Sequence, residues 1–77
     1  MIVYHCCSLK KLNKYSKTGR ILAPVRAWEN IAQAERMSLS TGRRVILRLR
    51  FPASTPKLKG HFGQARVLNH DLVFNDI

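Results

Sequence analysis

The chain has 77 residues, with 14 Lys and Arg against 4 Asp and Glu, a net charge of +10 and an isoelectric point near 10.7. That length gives one domain over residues 1–77, and such a chain buries only roughly 60% of its unfolded surface. A 45% apolar fraction excludes disorder, and no apolar run nears the roughly 20 residues of a membrane span.

Ile2–Cys7 is rich in β-formers and predicts a first strand. Nothing ahead of it resembles a charged signal-peptide start, so the chain is expected to be cytoplasmic and without membrane contact. Cys6 and Cys7 would point to opposite faces of that strand, which disfavours a disulfide between them and fits a reducing compartment. His5-Cys6-Cys7 lacks the paired ligand spacing of zinc modules. No metal is therefore expected, and the two thiols are read as core.

Ser8 supplies a helix N-cap, and Leu9, Leu12 and Tyr15 follow at helical spacing. Lys10, Lys11, Lys14 and Lys17 fall mainly outside that stripe, and Gly19 ends the helix. A second extended segment runs through Ile21-Leu22 and Val25–Trp28, divided by Pro24, which has no N–H for a ladder. Asn30 and Gln33 make a capping box for a second helix, with Trp28 near its start. Ile31, Ala34, Met37 or Ser38, and Leu39 would be its buried stripe, and Gly42 its stop. Both helices thus end on Thr-Gly followed by a basic residue, a likeness that shared capping chemistry explains.

Arg44–Phe51 then alternates like a strand with two opposed chemistries. Val45, Leu47, Leu49 and Phe51 share one face; Arg44, Arg48 and Arg50, with Ile46 among them, share the other. Guanidinium groups donate in a planar, bidentate geometry that suits phosphate.

Pro52 closes this strand, and residues 53–63 form the longest irregular stretch. Within it stands Gly60-His61-Phe62-Gly63, flanked by Lys57 and Lys59. The glycines let backbone N–H groups converge on an anion, the lysines add charge, and Phe62 can stack on a base. Gln64–Leu68 and Leu72–Asn75 read as two short closing strands, a hairpin turning near Asn69-His70. The expected fold is α+β: a small mixed β-sheet of about four to five strands with two α-helices, in the order β-α-β-α-β-β-β. With both helices on one face, the arginines would occupy the other.

The charge imbalance implies a polyanionic partner, nucleic acid or another phosphate-bearing polymer. Arg44, Arg48, Arg50, Lys57, Lys59, His61 and Phe62 are the candidate contacts. An alternative partner is an acidic protein on which the basic surface docks, and a core this small also admits a homodimer. No Ser-His-Asp context or phosphate-binding glycine loop marks a catalytic centre, and no cofactor is implied by these motifs.

One resemblance adds a different reading. Val3-Tyr4-His5, a capped helix ending Thr18-Gly19-Arg20-Ile21, then Pro24-Val25-Arg26-Ala27-Trp28, a helix and Val45-Ile46-Leu47 together resemble the opening of small ADP-ribosyltransferase-like domains, over residues 2–51. The resemblance implies NAD as cofactor, His5 as the residue that contacts its ribose, and Arg26 or Trp28 at the second-strand position. Most of that family also uses a late-strand glutamate, and no glutamate follows Glu35. What is implied is a reduced, nucleotide-binding version of the fold.

Overall fold

The structure, a computed structural model, describes residues 1–57 and 65–73. In chain order the elements are β1 (Ile2–Cys7), α1 (Leu9–Thr18), β2 (Arg20–Ile21), β3 (Val25–Trp28), α2 (Ile31–Thr41), β4 (Val45–Arg50), β5 (Ala65–Leu68) and β6 (Leu72–Val73). The α+β class and the element order are as expected. A four-stranded sheet has the order β4-β1-β3-β5, and β2 pairs with β6 in a separate ribbon. Every ladder is antiparallel. Because β3 and β4 both run against β1 from either side, they run in the same direction, and α2 is the crossover between them.

Capping chemistry sets the helix limits. The Ser8 hydroxyl accepts the Lys11 N–H at 3.2 Å, and Gly19, with φ of 70°, donates its N–H to the Tyr15 carbonyl at 2.8 Å. Asn30 caps α2 by accepting the Ala32 N–H at 2.8 Å, and Gly42 ends it with φ of 72°.

The β1–β4 register pairs Val3 with Leu49, His5 with Leu47 and Cys7 with Val45, so these share one face. Tyr4 pairs with Arg48 and Ile2 with Arg50 on the other, which Cys6 also occupies. The core forms on the first face, from Val3, Ile21, Val25, Ala27, Phe51 and Leu68, with Tyr15 and Leu72 packed against it. Helix α1 and the β2–β6 ribbon therefore cover that side. On the second side the Cys6 thiol donates to the Ala34 carbonyl at 3.1 Å, which places α2 there.

The helices thus lie on opposite faces, a correction to the expectation that they share one. Helical periodicity identifies a stripe but not the sheet face it meets. The stripes are also thinner than expected. Ala34 is the buried residue of α2, whereas Leu39 is 86% exposed, Ile31 is exposed, and Leu9 on α1 is 64% exposed. A small residue at position 34 lets the α2 backbone approach β1 closely enough for the thiol contact.

The closing hairpin is also corrected. β5 pairs with β3 and β6 with β2, so the two strands belong to different sheets. The Asp71 carboxylate accepts the Ala23 N–H at 2.8 Å, which ties the chain after β5 to the β2–β3 connection. Residues 74 and 75, the expected end of the last strand, lie outside the described residues. At the other end, the Met1 ammonium donates to the Phe51 carbonyl at 2.7 Å, and Phe51 N–H donates to the Met1 carbonyl at 2.9 Å.

A Cβ added at Gly42 would meet nothing within 4 Å, so the penalty there is backbone strain alone. Gly42→Ala is expected to destabilise by about 1 kcal/mol and Gly42→Asn by less. Urea unfolding of the three proteins checks this ranking.

Candidate functional site

Arg44, Arg48 and Arg50 are all exposed. Arg44 immediately precedes β4, while Arg48 and Arg50 stand at the end of the second face that lies away from the Cys6 contact with α2. The face expected to be open is therefore shared, with α2 at the Cys6–Ile46 end, next to Arg44, and Arg48 and Arg50 towards the Ile2–Arg50 end, so the three arginines do not form one cluster. Register adds what the strand sequence could not: Arg48 is opposite Tyr4, Tyr4 is opposite Trp28, and Trp28 is opposite Ala65. One row across the sheet thus holds a cation and two partly buried aromatic side chains.

Among the described residues the ion pair is Arg66 with Glu29, at 3.0 Å. It leaves Arg44, Arg48 and Arg50 without a carboxylate partner among those residues. Arg66 also donates to the Thr55 carbonyl at 2.9 Å and so holds the segment after Pro52 against β5. Lys57 is exposed and its backbone bridges to Arg66. Lys59, His61 and Phe62 lie outside the described residues.

The second region is the seam between β1 and β3. Its register contains one pair, Tyr4 with Trp28. At the Arg26 level the carbonyl meets the His5 side chain, with Nδ1 at 2.6 Å. A carbonyl only accepts, so Nδ1 carries the proton and Nε2 is the accepting nitrogen. Nε2 lies 3.4 Å from the Tyr15 hydroxyl, which can donate to it. Burial pushes the His5 pKa below its ordinary 6.5 against the raising effect of the Arg26 carbonyl, and the nearby Arg43 charge lowers it further. The imidazole is therefore neutral at neutral pH.

Beside this contact a cavity of about 160 Å³ is lined by His5, Cys6, Arg26, Trp28, Met37 and Arg43, among others. The structure thus brings His5, Arg26 and Trp28 together. Arg43, which was not a candidate in the sequence, joins them, as does Met37, read there only as part of the buried stripe of α2. Arg43 follows the Gly42 cap, and only the β3-α2-β4 crossover brings it back over β1.

Cys6 and Cys7 are free and buried. Burial raises both pKa values; Cys7 is raised further by Cys6, and Arg43 pulls in the opposite direction for each. Thiols held protonated are poor nucleophiles. No group of three His, Cys, Asp or Glu side chains suited to a metal forms among the described residues. Asp71, the acidic residue after Glu35 among those described, accepts the Ala23 N–H. No helix among the described residues is long and apolar enough to cross a membrane. Compared with protein-family models, curated proteins and solved structures, the chain matches none of them.

The depressed His5 pKa has a stability consequence of definite sign. The unfolded chain takes up a proton near pH 6.5 while the folded one resists, so stability falls as pH drops below that value. The loss is complete once the pH is below the folded pKa, with a slope of at most about 1.4 kcal/mol per pH unit. Thermal melts from about pH 8 to about pH 5 are expected to fall more steeply for the natural protein than for His5→Gln. Parallel curves would remove His5 as the titrating group.

Proposed function

We propose that this chain is a small basic binding domain that engages nucleic acid or another phosphate-bearing polyanion. The observation that carries the reading is the exposed Arg48 and Arg50 on one strand face, in register with Ile2 and Tyr4 and unpaired with any described carboxylate. Arg44, ahead of β4, and Lys57, bridged to β5 at the other edge of the sheet, are exposed cations set apart from that pair. Lys59, His61 and Phe62 complete the proposed contacts from the sequence alone. Guanidinium groups on a strand are held at fixed spacing, so less order is lost on meeting successive phosphates than with flexible lysines. A net charge of +10 adds long-range attraction and self-repulsion that a polyanion relieves.

The expected signature is affinity that drops linearly with log salt concentration. On duplex DNA, Arg48→Gln combined with Arg50→Gln should flatten the slope by about 1.8, the amount for two neutralised phosphates. A slope unchanged by that double variant would move the contact elsewhere. No binding to RNA or DNA at low ionic strength would end the reading, and retention of an acidic protein instead would replace it.

The cavity favours a second reading, a reduced ADP-ribosyltransferase-like domain binding NAD or a nucleotide, because His5, Arg26 and Trp28 line it together. Its volume of about 160 Å³ falls below the roughly 300 Å³ of a small ligand pocket. Only one ring of a dinucleotide would enter, with the remainder lying outside. Calorimetric titration with NAD should give heat for the natural protein and less for His5→Ala; identical blank traces for both would dispose of this reading.

A further inference from the structure

We infer that the cavity between β1 and β3 receives one unpaired base of a single-stranded nucleic acid, with Arg26 and Arg43 meeting the adjacent phosphates. The inference rests on the nucleic-acid reading above and deepens it, naming single strands as the ligand and the seam as a contact separate from the β4 arginines.

Size comes first. A cavity of about 160 Å³ compares with the roughly 150 Å³ that accommodates a benzene ring. It therefore takes one six-membered ring, such as a pyrimidine, and excludes a base pair. A duplex can reach it only by extruding a base, at a penalty of a few kcal/mol.

The walls suit such a ring. Trp28 offers an aromatic surface and Met37 a polarisable thioether, both favourable against a heteroaromatic ring. Ala27 and Ala65 also line the cavity, and Ala65 is the direct cross-strand neighbour of Trp28. A larger side chain there would take up space beside the indole. His5 also lines the cavity, and its side chain is held between the Arg26 carbonyl and the Tyr15 hydroxyl.

Charge and placement agree. Arg26 and Arg43 line the cavity, are exposed, and lack a carboxylate partner among the described residues. Trp28 is opposite Tyr4, which is opposite Arg48. Arg48 therefore lies two strand spacings from Trp28, about 10 Å, so one strand of nucleic acid can span both regions. A ring stacked in the cavity and phosphates on the sheet become parts of one binding path.

Trp28 is the sole tryptophan, so its emission reports the cavity directly. Oligothymidylate, alone and annealed to oligoadenylate, is titrated at low salt while Trp28 fluorescence and affinity are followed. The expected result is binding of both, with the single strand at least about tenfold tighter and alone in quenching Trp28. Arg43→Gln should remove the quenching and bring single-strand affinity down to that of the duplex; Arg26→Gln, also at an exposed position, should do the same. Equal affinities with unchanged Trp28 emission would overturn the base pocket while leaving the polyanion reading in place. Quenching by NAD but not by oligothymidylate would overturn it in favour of a free dinucleotide. Absence of binding to both oligonucleotides would remove the underlying reading and this inference with it.

Discussion

The hydrogen bond from His5 Nδ1 to the Arg26 carbonyl is the interaction on which the functional geometry depends. β1 is a central strand, paired with β4 over six residues but with β3 through one register pair. A β1–β3 ladder that stops at one register pair leaves the Arg26 carbonyl in want of another donor on that side. The imidazole supplies it. That substitution leaves the backbones apart where the cavity lies, fixes the tautomer, and turns the remaining ring nitrogen towards Tyr15. An alanine at position 5 would remove the donor and leave both the seam and the carbonyl unsupported.

Around that seam the domain is held by a one-sided core. Val3, Ile21, Val25, Ala27, Phe51 and Leu68 pack on the α1 side, whereas α2 is attached through Ala34 and the Cys6 thiol. Full burial of a Val, Ile or Phe side chain contributes about 1.5–3 kcal/mol, against a fraction of that for alanine. The α1 face therefore carries most of the stability. The α2 face is the one where a cavity, exposed cations and aromatic side chains can coexist, because less of the fold depends on its being closed.

What the sequence disclosed follows from the range of the interactions involved. Ser8, Gly19, Asn30 and Gly42 act within one turn, and the helix limits they set were legible. The alternation of Val45–Arg50 separated Arg48 and Arg50, with Ile46, from Val45, Leu47 and Leu49, because strand geometry has a period of two. Partners distant in sequence were not legible. Nothing local says that β5 joins β3 while β6 joins β2, and the Asp71 contact with Ala23 that accompanies this spans 48 positions. Trp28 opposite Tyr4, and Arg43 over His5, arise only once the β3-α2-β4 crossover straddles β1. His5, Arg26 and Trp28 were named by resemblance, and their shared cavity is a property of register.

The charges near the seam act in a consistent direction. Arg43 lowers the pKa of His5, Cys6, Cys7 and Tyr15 alike, as a positive potential must. For His5 that reinforces burial, and both keep the imidazole neutral. For the thiols and the phenol it opposes burial, and burial wins, so these groups also stay neutral. The outcome is a set of uncharged side chains beneath an uncompensated guanidinium. No described carboxylate answers Arg43, and no ionised side chain among these four competes for it. A phosphate arriving at the seam would meet a potential that no described carboxylate offsets, the electrostatic counterpart of Arg48 and Arg50 on β4, which also lack a carboxylate partner among the described residues.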